Sequence, residues 1–201
     1  MIPLPLPRLF TPRLLLRRLV DEDAAAIFDY AKRPDVGPSA GWEPHTSIDD
    51  TLRFIHYTTT KREHGQPGVY AIVHRAENKV IGTIEIHSYR GYKGEIGFVL
   101  HPAYWNQGLV TEAAKAVIIY AMDVLELKRL TYCHFPDNHA SRRVCEKLGF
   151  TYEGVLRDKF LRYDGVLLDD VTYSIVARDY HAGKIRWVEP FKAVMGIDET
   201  P

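Results

Sequence analysis

Between residues 95 and 125 the chain passes from a β-type run, Glu95-Ile-Gly-Phe-Val-Leu100, through the turn His101-Pro-Ala-Tyr-Trp-Asn-Gln-Gly108, into a helix-period run beginning at Val110. A helix that leaves a strand through a glycine turn packs back on the sheet holding that strand, so this segment commits the chain to α/β layers. Ala113, Ala114, Val117, Ile118, Ala121 and Leu125 fall on one side of the helix, the side such packing buries. The first backbone N–H groups of any helix lack internal partners, and the macrodipole adds partial positive charge there. A glycine-punctuated turn at that spot can hold a pyrophosphate without Lys or Arg, which points to a nucleotide-carried group.

The same reading extends in both directions. Thr11-Pro-Arg-Leu-Leu-Leu-Arg-Arg-Leu19 is a first strand, and Asp21-Glu-Asp supplies caps and first-turn acids for a helix that Pro34 stops. Residues 35–45 are turn-rich. Ser47-Ile-Asp-Asp50 forms a capping-box pattern ahead of a second helix. Residues 69–74, 79–89 and 95–100 are three consecutive strands, with turns at Glu77-Asn78 and at 91–94. Residues 129–134 form a fifth strand, and 138–148 a helix closed by Gly149. Strands near 152–161 and 168–177 flank the Tyr163-Asp-Gly165 turn. No repeat or linker divides the chain, so residues 1–201 read as one domain with an extended leader, 1–10, and a tail, 179–201.

Acidic and basic side chains balance at 26 each, so no overall field favours nucleic acid or an anionic membrane. Arg13, Arg17 and Arg18 read as solvated charges beside a strand. No apolar run has transmembrane length, and the proline-spaced start lacks the pattern of a signal peptide. Cys133 and Cys145 have no metal-ligand spacing and read as reduced core thiols of a cytoplasmic protein.

Several segments, in order, resemble the GCN5-related N-acetyltransferase (GNAT) superfamily and its RimJ/RimL-type branch. The first-strand motif resembles the opening strand of that branch, and Gly41-Trp-Glu-Pro-His45 its first substrate-side loop. Tyr104-Trp-Asn-Gln-Gly-Leu-Val-Thr-Glu-Ala113 resembles the acetyl-CoA signature. Asn138-His-Ala-Ser-Arg-Arg-Val-Cys-Glu-Lys-Leu-Gly-Phe150 resembles the second signature almost position by position. Tyr152-Glu-Gly-Val-Leu-Arg157 and the segment from Asp170 to Tyr173 complete it. The chain departs from the superfamily pattern at Trp105 and Val110, and has Asn106 where the branch often has Gly.

The resemblance implies an α/β (α+β) fold with a mixed, mostly antiparallel sheet of about seven strands. The sheet is splayed between the fourth and fifth strands (95–100 and 129–134) and flanked by about four helices. It implies acetyl-CoA as acyl donor, held by Phe98, Val99 and Leu100 of the fourth strand, by Trp105, Asn106, Gln107, Gly108, Leu109 and Val110 of the turn, and by Asn138, Ser141 and Arg143. A backbone N–H near Phe98 or Val99 is then the oxyanion donor. Glu95 is the leading proton acceptor and Glu85 the second. Glu95 lies one residue off the usual spacing, which a strand bulge would have to reconcile. Relatives that carry a Tyr at the position of Cys145 use it as the acid; here Ser141 is the alternative. Trp42, His45 and Tyr89 are acceptor-pocket candidates.

The implied activity is direct transfer of an acetyl group to a primary amine in a ternary complex. The acceptor is a protein N-terminal α-amine, as in ribosomal-protein modification, or a small-molecule amine or amino acid. A non-catalytic acyl-CoA sensor is the third reading, and a homodimer stays open. A lysine-like amine, with pKa near ~10.4, costs about 3 to 4 kcal/mol more to neutralise than an α-amine near ~7.7–8.0.

Overall fold

The computed structural model describes residues 4–198. Its centre is one nine-stranded sheet. In chain order the strands are β1 (Arg8–Phe10), β2 (Leu14–Arg18), β3 (Val69–His74), β4 (Lys79–His87), β5 (Lys93–Leu100), β6 (Arg129–His134), β7 (Thr151–Leu161), β8 (Leu167–Val176) and β9 (Gly196–Asp198). They lie side by side as β7-β8-β6-β5-β4-β3-β2-β1-β9. Only β5 and β6 run parallel; every other neighbouring pair is antiparallel.

The sequence leads to about seven strands, and the two additional ones are β1 and β9, each three residues long. Both sit in segments read as leader and tail, and they pair with each other, Leu9 beside Ile197. The first strand is shorter than its motif, because Thr11 turns back on Leu14 through N–H to O (2.9 Å) and Oγ1 to N (3.0 Å) contacts.

Four longer helices cover the sheet: α1 (Ala24–Ala31), α2 (Ile48–Glu63), α3 (Leu109–Ile119) and α4 (His139–Leu148). Two short ones, α5 (Ala177–His181) and α6 (Val188–Lys192), follow. On one face, α3 and α4 bury Ala113, Ala114, Val117, Ile118, Cys145 and Leu148 against Ile84, Ile86, Ile96 and Leu100. On the other, Ala24, Ile27, Ala31 and Ile55 of α1 and α2 pack on Val69, Ala71, Val73 and Val80. Burying a Leu or Ile side chain is worth about 1.5–3 kcal/mol, and two such cores, one on each face, anchor the sheet to its helices. No helix among the described residues is long and apolar enough to cross a membrane.

The local signals behave as their chemistry requires. Ser47 Oγ accepts the Asp50 N–H, and Asp50 Oδ2 accepts the Ser47 N–H (2.9 Å), closing the capping box of α2. Gly149 ends α4 at φ 81°, a left-handed position that glycine enters at no steric cost. The run read as one long helix is α3 followed by a wider turn, Tyr120–Val124, in which Leu125 N–H reaches back five residues to Tyr120 O (3.0 Å).

Candidate active site

The parallel pairing of β5 with β6 ends at Ile96 beside Tyr132. Beyond that point β5 remains paired to β4 as far as Leu100, and β6 to β8 as far as His134. Each strand is held on its outer side while the inner edges, 97–100 and 133–134, part. Successive residues of a strand point their backbone polar groups to opposite sides. His101 N–H donates to Ile81 O on β4 (2.7 Å), so Gly97 and Val99 face β4, while Phe98 and Leu100 face the gap. Leu100 O is there taken by the Trp105 Nε1–H (2.7 Å). Phe98 N–H is the donor turned to the gap. Val99 N–H, named with it from sequence, is turned instead to Thr83 of β4, a consequence of strand alternation.

The turn after β5 enters left-handed conformation twice, at Asn106 (φ 59°) and Gly108 (φ 74°). Asn accepts that conformation more readily than most side chains, which explains how it stands where a glycine is common. Among the described residues, the N–H groups of 106–111 have no protein acceptor. Residues 105–108 are exposed, Leu109 is buried and Val110 half-buried. Arg13 braces this turn. Its Nη1 donates to Gln107 O (3.0 Å), and its Nε and backbone N–H bind the two oxygens of Glu112 (2.6 and 2.9 Å). Arg13 and Arg17, read as solvated charges, are therefore both ion-paired, Arg17 with buried Asp23 (2.7 Å).

A Cβ at position 108 would meet only the Arg13 guanidinium, at 3.7 Å, so torsion and not crowding calls for glycine. Gly108→Asp adds strain and a negative charge at the row of free N–H groups. Calorimetry is expected to show acetyl-CoA affinity reduced by about tenfold or more, equivalent to about 1.4 kcal/mol. Unchanged affinity in the folded variant would remove the pyrophosphate from this turn.

The start of α4 lies beside the gap. Asn138 Oδ1 accepts the Ser141 N–H (3.0 Å), and Asn138 Nδ2 donates to Ser39 O (3.2 Å), so one side chain caps α4 and ties it to the substrate-side loop. Ser141 Oγ is 2.8 Å from the Tyr132 hydroxyl. Arg142 pairs with Glu146 (2.8 Å), and Arg143 is exposed. Cys145 is fully buried, and burial pushes its thiol up to about 12. Burial, with the nearby Glu95 carboxylate, does the same to Cys133. Neither thiol is ionised at neutral pH, so neither is a nucleophile. Cys145→Ala is expected to retain turnover. Radiolabelled acetyl trapped on Cys145, and lost with turnover in the variant, would contradict this.

On the opposite face, toward α2, Glu95 shares its side of β5 with Gly97 and Val99. The pairing of β4 with β5 runs without a shift from His87–Glu95 to Gly82–Leu100, so no bulge turns Glu95 over, and the one-residue offset from the relatives' base position stands unreconciled. His87 Nε2 lies 3.7 Å from Glu95 Oε1. Glu85, directly across from Gly97, is engaged by Lys61 of α2 (3.1 Å). Asp170, on β8 at the open end, has its carboxyl raised by burial and by the Glu95 charge.

Trp42 and His45 close this side, with ring centroids 5.4 Å apart. His45 Nδ1 is 2.8 Å from Thr51 Oγ1, and burial lowers its pKa. Gly41, at φ 90°, lies beneath Phe160 so closely that a Cβ would come within 2.5 Å of the ring. Phe160 also meets Phe135 (5.2 Å). Tyr89 is not brought to this site. The gap opens at the far end of β5, whereas Tyr89 follows β4 in the turn and packs on the α3 core.

The model of the acetyltransferase (GNAT) domain matches residues 13–151. The chain belongs to this family. It is similar to the uncharacterized N-acetyltransferase YoaA of Bacillus subtilis, 34% identical over 172 residues that cover 85% of this chain and 97% of YoaA. It is also similar to the [ribosomal protein uS5]-alanine N-acetyltransferase of Escherichia coli, 26% identical over 190 residues, 90% of this chain and 96% of that one. The crystal structure of a GNAT-family acetyltransferase from Bacillus anthracis superimposes with a TM-score of 0.75, at 28% identity, covering 85% of this chain and 99% of the other.

GNAT enzymes use acetyl-CoA, and the residues here fit it. Among the described residues, six consecutive N–H groups without acceptors suit a pyrophosphate, and the strand edge with Phe98 N–H turned to the gap suits an amide-bearing arm and a thioester carbonyl. The sequence pointed to Glu95 but not to the groups around it. In sequence, Asp170 is only the end of a matched segment; His87, Phe135 and Phe160 meet the site only through strand register and chain reversal.

Proposed function

We propose that this N-acetyltransferase moves the acetyl group of acetyl-CoA directly onto the α-amine of a protein N-terminus, with Glu95 taking the proton the amine gives up. The observation that carries the reading is the two-sided gap between β5 and β6. Phe98 N–H and the α3 turn lie toward one ligand, and Glu95 lies on the α2 face, where a second ligand would enter. Acetyl-CoA supplies an activated thioester when bound. The chain supplies position, an N–H for the developing oxyanion, and a carboxylate for the proton. Glu85 is the weaker candidate, because the Lys61 ammonium already occupies it.

Kinship with the uS5-alanine enzyme supports a protein terminus as acceptor. The low cost of neutralising such an amine supports it too: in water an α-amine needs only about 1 kcal/mol to be neutral at pH 7, well below a lysine-like amine. The test is thiol release and product mass with acetyl-CoA and three acceptor sets: ribosomal-protein N-terminal peptides, the same peptides blocked at the α-amine, and free amino acids and polyamines. Turnover confined to free α-amine peptides is expected. Turnover with small amines alone would replace the acceptor, and binding without turnover would make the protein a sensor.

A further inference from the structure

We propose that Tyr132 is a positioning residue for acetyl transfer, holding the Ser141 hydroxyl toward the sulfur that leaves. The inference rests on the function proposed above. Tyr132 is the last residue of β6 paired to β5, so its Cα marks the point where the strands part. Its side chain is 1% exposed and runs beneath α4. Edge-to-face contacts with Phe98 (5.8 Å) and Phe150 (5.3 Å) fix the ring. The hydroxyl then reaches the first turn of α4, 2.8 Å from Ser141 Oγ and 3.0 Å from Ser141 O.

Ser141 is therefore pinned twice, by Asn138 at its backbone N–H and by Tyr132 at its side chain. A first-turn serine left to itself tends to bond to nearby backbone groups. Burial raises the Tyr132 phenol well above its ordinary value, so it keeps its proton and acts by hydrogen bonding, not as an acid. The helix has no phenol of its own at position 145, where it carries a buried thiol.

In the transfer, the acceptor nitrogen forms its bond to the carbonyl carbon and the carbon–sulfur bond breaks with its electron pair on sulfur. The nitrogen's proton goes to Glu95. Tyr132 O–H donates to Ser141 Oγ rather than to the Ser141 carbonyl, which leaves the serine's own proton free to donate a hydrogen bond to the new thiolate.

The experiment compares wild type, Tyr132→Phe, Ser141→Ala and the double variant by three readouts. With acetyl-CoA, Tyr132→Phe is expected to lower kcat about fivefold at unchanged KM, and to add nothing once Ser141 is alanine. With an acetyl thioester of a more acidic thiol, whose leaving group needs no donor, the loss is expected to shrink. Independently of turnover, CoA bound to each protein is titrated by the ultraviolet absorbance of its thiolate. A donor to the thiolate lowers the thiol pKa, so both single variants should raise it. Full effects in Ser141→Ala with none in Tyr132→Phe would overturn the role of Tyr132. No effect of either on kcat or on the bound thiol would overturn the whole Ser141 arrangement while leaving amine acetylation standing. Shifted thiol titrations without turnover on any amine would instead sink the proposed function and retain the Tyr132–Ser141 contact.

Discussion

Glutamine in place of Glu95 is expected to lower kcat/KM at pH 7 by about 100- to 1,000-fold, with acetyl-CoA affinity unchanged. Glu95 stands on the α2 face of β5, where the acceptor is proposed to enter, and its side chain is 27% exposed. The His87 ring nitrogen lies 3.7 Å away, too far to engage the carboxylate fully. Glu85 lies on the same face but is held by Lys61, so Glu85→Gln is expected to have a much smaller effect. Raising the pH should partly restore the Glu95→Gln variant, because the amine then arrives already neutral. Full activity at pH 7 in both single variants and in the double variant would mean that the base is elsewhere or is not needed. Calorimetry of acetyl-CoA binding separates this loss from a damaged donor site.

Alanine at Glu112 is expected to destabilise the fold by about 3 kcal/mol, read as a lower urea midpoint. Glu112 is 9% exposed and accepts from Thr11 Oγ1 (2.6 Å), Arg13 N–H and Arg13 Nε. Truncation leaves a buried hydroxyl, a backbone donor and a guanidinium without their acceptor at once, which costs more than the bonds themselves contributed. Arg13 also grips Gln107 O, so the loss reaches the α3 turn. Glu112→Gln keeps one acceptor oxygen, for Thr11 Oγ1 and the Arg13 N–H, but turns an NH2 toward Arg13 Nε, and should fall between wild type and alanine. A midpoint for Glu112→Ala equal to that of wild type would show that these bonds contribute nothing net.

The local half of this protein is legible in its sequence. The caps at Ser47 and Asn138, the C-terminal glycine at 149 and the glycine turn at 108 all act within a few residues, so residue type and spacing suffice to find them. β1 and β9 escape such reading because three-residue strands carry almost no periodicity, and theirs pairs residues as distant as Leu9 and Ile197. Arg13 looks like a surface charge for the same reason: Glu112, its partner, is 99 positions away. Glu95 is identifiable as a residue, but its face depends on whether the β4–β5 register slips, which no spacing within one strand decides. Tyr89 depends on the hairpin in the same way: it follows β4 in the turn and packs on the α3 core, at the end of β5 away from the gap.

Asn138 makes the two halves of the gap answer to each other. One end of its amide holds the first turn of α4, the other holds Ser39 in the loop that carries Gly41 and Trp42. With the donor beside α4 and the acceptor beside this loop, as proposed, a shift of the helix must stretch or keep the bond to Ser39, and by thermodynamic reciprocity each ligand would change the other's affinity by the same factor. A single neutral hydrogen bond limits that coupling to about 1 kcal/mol, or roughly fivefold. Donor and acceptor should accordingly bind in either order, with a mild mutual preference rather than an obligatory sequence.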